Sequence, residues 1–72
     1  MNEMTKIWLV EMIDNEIKET NGNISNNTLW AHGSETPEIA ENYIQTISEL
    51  EDYKQLLLTM KNQIESEGKI NV

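Results

Sequence analysis

From position 37 to 66 apolar residues recur at heptad spacing, with no Gly and no Pro after Pro37. Tyr43, Leu50, Leu57 and Ile64 fall at position a, and Ile39, Thr46, Tyr53 and Met60 at position d. The steps alternate four and three without a break, which predicts one long helix with a seam for another helix. Ile47 and Leu56 lie at e and g, so the stripe is wider than a two-stranded zipper needs.

The start of this helix is written in Ser34-Glu35-Thr36-Pro37-Glu38. Thr36 or Ser34 serves as N-cap, Pro37 occupies the first turn where its missing N–H costs nothing, and Glu35, Glu38 and Glu41 sit near the positive end of the dipole. Gly68 and Lys69 mark the stop, leaving 67–72 as a tail.

Upstream, apolar residues predict a first helix over about 2–20, closed by Asn21-Gly22, a pair comfortable at positive φ. At 100° per residue Leu9, Val10, Ile13 and Ile17 gather on one side, while Met1, Met4, Trp8 and Met12 form a second stripe roughly 150° away. Two stripes call for two neighbours. Residues 21–36 shift to Asn, Ser, Thr and Gly around Leu29-Trp30, and the chain holds nine Asn in all. A loop of that length predicts a short helical turn over 27–32, capped by Asn26 or Asn27, stopped by Gly33, with Trp30 plugged into the core.

The fold class expected is therefore all-α: a helical hairpin with a shorter N-terminal helix, a short turn and a long C-terminal helix, in one domain over 1–72. At 1.5 Å per residue the two helices would span about 28 and about 45 Å, leaving on the order of 15 Å of seam uncovered. Two hairpins joined as a four-helix dimer would cover it. The expected oligomer seam is Ile39, Tyr43, Thr46, Leu50, Tyr53, Leu57, Met60 and Ile64.

Charge narrows the partners. Thirteen Asp and Glu against five Lys give a net charge of −8, and there is no Arg. Phosphate neutralisation needs clustered cations, whereas Lys6, Lys18, Lys54, Lys61 and Lys69 are scattered, so direct nucleic-acid binding is not expected. Such a surface favours basic partners. Absence of cysteine excludes disulfides and thiolate metal sites. The N-terminal residues lack a secretory n-region, the apolar run 7–10 is too short for a bilayer, and a soluble, cytoplasmic protein without membrane contact is expected. Asn23-Ile24-Ser25 and Asn26-Asn27-Thr28 match the glycosylation tripeptide but have no secretory route to use it.

Candidate chemistry is sparse. His32 is the single histidine and has no recognisable acid or base companion. Glu38, Glu41, Glu49, Glu51 and Glu65 stand mostly off the seam without a Glu-x-x-His set, so neither a dinuclear metal site nor any cofactor is expected. No P-loop, dinucleotide glycine pattern or nucleophile elbow occurs. A non-enzymatic protein is expected.

The pattern Leu29-Trp30-Ala31-His32-Gly33-Ser34, then Pro37-Glu38, then Leu50-Glu51-Asp52-Tyr53-Lys54 resembles short uncharacterised proteins of phages and prophages of low-GC Gram-positive bacteria, over 29–58. The resemblance implies a bacterial host cell and a protein that binds and blocks a host protein, including defence systems. Methionine-rich helical surfaces adapt to partners and tryptophan anchors interfaces. The candidate partner surface is accordingly Met4, Trp8 and Met12 with the acidic Glu49, Glu51 and Asp52. Two alternatives stand beside a partner-modulating module: a DNA mimic displaying rows of carboxylates, and a structural oligomeric phage component.

Overall fold

The computed structural model describes residues 2–67, with the backbone alone at Glu67. It is a hairpin of two helices, α1 (Glu3–His32) and α2 (Pro37–Glu67), joined by four residues. The rod measures 51 × 18 × 11 Å, and its radius of gyration of 15.7 Å exceeds the about 11 Å of a globule of this length. No residue therefore lies far from solvent.

Both helix starts are capped by side chains. The Asn2 side-chain oxygen accepts from the Thr5 N–H at 2.8 Å, and Thr36 Oγ1 accepts from the Ile39 N–H at 3.3 Å. Thr36 is thus the N-cap of α2 and Pro37 its first residue, as expected. The connection opens at Gly33, whose N–H donates to the Leu29 carbonyl at 3.0 Å, and Ser34 follows with an N–H bond to the Ala31 carbonyl at 3.3 Å. The Ser34 hydroxyl closes the end by donating to the Trp30 carbonyl at 2.7 Å. The expected stop at Gly68 and Lys69, the tail beyond it and Met1 lie outside the described residues.

The boundary expected at residue 20 is corrected: α1 runs unbroken through Asn21-Gly22, and no separate connection over 21–36 or isolated turn over 27–32 exists. Two facts explain the continuation. The Thr20, Asn27 and Thr28 side chains donate to the carbonyls four residues earlier, at 2.7, 2.8 and 2.8 Å, so polar groups that could have closed a turn are bonded to their own helix. In addition, a seam passes through this stretch. Among the shielded positions of α1, which also include Thr5, Leu9 and Glu16, the series Lys6, Val10, Ile13, Ile17, Thr20, Ile24, Asn27 and Ala31, ending at Ser34 just past the helix, again runs in alternating steps of four and three. A packed partner supplies more than the propensity of one Asn-Gly pair removes.

Equal helix lengths also remove the expected overhang. With 30 residues in α1 and 31 in α2, each about 45 Å long, the seam has an intramolecular partner along its whole length.

The facing positions of α2 need a second correction. They are Ala40, Tyr43, Ile47, Leu50, Lys54, Leu57, Lys61 and Ile64, the a and e lines instead of a and d. α1 sits about 50° around α2 from the expected seam. Ile39, Thr46 and Tyr53 of the d line are exposed and Met60 half-buried. Lysine stems at 54 and 61 can line the seam while their ammonium groups reach water, which makes the e line usable.

The core is thin. Ile13, Leu57 and Ile64 are buried, with Leu9, Val10, Ile17 and Met60 packed against them. All belong to the open end of the hairpin. Trp30 is not in the core: it stays 54% exposed and leans on Tyr43, ring centroids 5.8 Å apart at 49°.

Candidate functional site

Two features dominate the surface: apolar side chains left uncovered, and carboxylates around them. On α1, Met4, Trp8 and Met12 are 57, 59 and 67% exposed. Spaced at four residues, they make a stripe, and Trp8 falls roughly 160° from the seam, pointing away from α2. The second stripe expected for α1 therefore exists as an open surface, its Met1 member lying outside the described residues.

Between the helices at the open end runs a groove of about 320 Å³ lined by Leu9, Met12, Ile13, Glu16, Tyr53, Leu57 and Met60. The groove exists because α1 chose the a and e lines of α2 and left the d line on its rim. A second groove, at the connection, is lined by Leu29, Trp30, Gly33, Ser34, Glu35, Ile39 and Tyr43.

The open-end groove has one polar wall. Tyr53 donates its hydroxyl to Glu16 Oε1 at 3.1 Å, tying the helices together. Partial desolvation first, then the hydrogen bond to Glu16 and the charges of Glu16 and Glu19, hold the phenol above its ordinary range. On the opposite side Lys61 Nζ lies 2.7 Å from Asp14 Oδ1 and 3.9 Å from Glu65 Oε1. The hydrogen bond that Lys61 donates to Asp14 leads in raising the lysine's affinity for its proton, over an opposing desolvation, with the charges of Asp14 and Glu65 adding to it. These half-exposed pairs fix register more than they stabilise.

The residues expected to form the partner surface are not brought together. Glu49, Glu51 and Asp52 are exposed, but they stand at the level of residues 17–20 of α1, on the order of 10–20 Å along the rod from Met4, Trp8 and Met12. They also point in three directions around α2, since adjacent helical positions differ by about 100°. Of the expected oligomer seam, Tyr43, Leu50, Leu57 and Ile64 turn inward against α1, while Ile39, Thr46 and Tyr53 stay outside with half-buried Met60 beside them.

Among the described residues no three His, Asp or Glu side chains are placed to hold a metal ion, and no helix is long and apolar enough to cross a membrane. What sequence reasoning missed is the groove itself. Its signal was present in Leu9 and Glu16, which belong to the same heptad line as Trp30 once α1 is taken as continuous. Neither a protein-family model, a curated protein nor a solved structure matches the chain.

Proposed function

We propose that the chain is a non-enzymatic, acidic protein-binding module that modulates or inhibits a partner protein, in the manner of a phage-encoded inhibitor of a host or defence protein acting in the bacterial cytoplasm. The observation that carries this reading is the Met4, Trp8, Met12 stripe, each more than half exposed, with Trp8 on the side of α1 away from α2 and Met12 at the edge of the open-end groove. A tryptophan more than half exposed between two methionines is what an interface anchor looks like before its partner arrives. Carboxylates elsewhere on the rod would steer basic partners toward it.

The test is capture from a bacterial host lysate by the full chain and by Trp8→Ala, at low and moderate salt. The same protein should be retained by the native chain at both salts and lost with Trp8→Ala, whose circular dichroism should be unchanged. Equal capture by both forms would remove the stripe from the binding surface.

One observation favours a second reading, mimicry of a nucleic-acid backbone. Lys54 and Lys61 are half-buried on the seam, so they interrupt the outer carboxylate rows of α2 less than their sequence positions imply. Mimicry predicts a captured partner that is a nucleic-acid-binding protein, released steeply by added salt and indifferent to Trp8→Ala.

A further inference from the structure

A second heptad line runs beside the seam along one face of the hairpin. On α1 it consists of Leu9, Glu16, Asn23 and Trp30; on α2, running the other way, of Met60, Tyr53, Thr46 and Ile39. Shared groove linings and one hydrogen bond show three of the four levels this makes. Leu9, Met60, Glu16 and Tyr53 line one groove, Tyr53 and Glu16 share a hydrogen bond, and Trp30 and Ile39 line the other groove. Asn23 and Thr46 fall between by spacing. The face is apolar at both ends and polar across its middle.

We propose that this face is the docking site for a second copy of the chain, placed antiparallel about a two-fold axis that crosses the rod at its middle, so that two hairpins form a four-helix bundle. The axis reverses the order of levels. Leu9 then meets the second copy's Trp30, and Met60 meets the second copy's Ile39. Glu16, an acceptor, meets the amide of the second copy's Asn23, and Tyr53 meets the hydroxyl of the second copy's Thr46. Every level finds a neighbour of its own polarity, which is what an isologous interface requires. A parallel two-fold would set α1 against the second copy's α2, so Glu16 would meet a Tyr53 whose hydroxyl is already donated within its own hairpin, and would gain no new donor.

Area and stability point the same way. Met12, Trp30, Ile39 and Tyr53, exposed, with the half-buried Leu9, Tyr43 and Met60, all lining the two grooves, leave on the order of 500 Å² of largely apolar residues on this face. With the polar middle this approaches the about 800 Å² per partner of a standard interface. The buried core among the described residues is Ile13, Leu57 and Ile64, too little for a hairpin of this size to stand alone. A face that must be covered for the chain to fold suits an occupant always present, which a second copy is and an occasional ligand is not. Met12 belongs to both surfaces, lining the groove, while Met4 and Trp8 are not among the groove-lining residues, so Trp8→Ala tests the partner surface without removing a residue of this face.

The absence of cysteine permits a clean test with the full chain. Sedimentation at micromolar concentration should give twice the chain mass, and the melting temperature should rise with protein concentration. Because each copy carries −8, added salt should tighten the dimer, whereas a basic helix bound in the groove would be weakened by it. Ile39→Cys mixed with Met60→Cys should form a disulfide-linked pair under mild oxidation, and neither variant alone should cross-link, since equal positions lie about 30 Å apart. Helicity of each cysteine variant is checked first by circular dichroism. A folded monomer at these concentrations overturns the proposal and leaves the face to another protein. A dimer that cross-links through Met60→Cys with Leu9→Cys, and not with Ile39→Cys, overturns the antiparallel arrangement.

Discussion

Gly22→Ala tests whether α1 is one helix. Asn21-Gly22 is a strong turn signal, and in a turn such a glycine takes a positive φ at which alanine costs about 1–2 kcal/mol. In the structure Gly22 lies in the middle of α1. It is exposed, and a Cβ built on it meets nothing within 4 Å. Alanine there needs no rearrangement and recovers the backbone entropy and propensity that glycine gives up in a helix, about 1 kcal/mol. For a chain this short that corresponds to a rise of about 4–8 °C in Tm. The assay is thermal unfolding by far-UV circular dichroism at matched protein concentration, with helicity compared before melting. Gly33→Ala is the internal control: at φ −87°, ψ 1° this glycine needs no left-handed conformation, and an added Cβ would sit 3.5 Å from the Leu29 carbonyl oxygen, ordinary contact. A change within about 0.5 kcal/mol is expected there. A drop of several degrees for Gly22→Ala, with loss of helicity, would refute the continuous helix and restore a turn at 21–22.

Three further outcomes follow from the packing. Ile64→Ala, at a fully buried side chain, should cost about 2–5 kcal/mol in urea unfolding while Ile44→Ala, on the solvent side, should stay within about 0.5; equal costs would mean the seam is misplaced. Thr20→Val should be neutral or stabilising by up to about 1 kcal/mol, because the buried hydroxyl bonds only to a carbonyl of its own helix; a loss above about 2 would reveal another partner for that hydroxyl. Tyr53 and Lys61 both hold their protons more tightly folded than unfolded, where their ordinary values are 10.0 and 10.5. Their contribution is therefore complete below about pH 10 and lost as pH rises through the folded values. Tm should be flat from neutral pH to that point and then fall, less steeply in the Tyr53→Phe, Lys61→Met double variant; an identical fall in the variant would assign the effect elsewhere.

Much of the hairpin was legible from residue order alone. Thr36 and Pro37 start α2 because a cap and a fixed φ are local chemistry, and the unbroken apolar repeat carries the helix onward without reference to anything else in the chain. The inward face of α1 from Leu9 to Ile17 was legible for the same reason. The second half of α1 was not: its seam passes through Thr20, Asn27, Ala31 and Ser34, small or polar residues that leave no hydrophobic period, while Asn21-Gly22 sends a local signal to stop. The candidate surface was legible only in part. Met4, Trp8 and Met12 could be seen as an unpartnered stripe, but the acidic residues set beside them turned out to lie elsewhere on the rod, because proximity between helices depends on register, which neither helix specifies by itself.

By itself, then, the sequence determined that the chain is helical, where the long helix begins, and that it carries more apolar stripe than one helix can cover. Only the tertiary structure decided that α1 crosses Asn21-Gly22, since the neighbour that outweighs those residues lies on the other helix, about twenty-five positions away in the chain by the register that pairs Glu16 with Tyr53. It also decided which stripe of α2 faces inward. Either adjacent stripe could accept a helix, and choosing the a and e lines left the d line as the rim of an open groove.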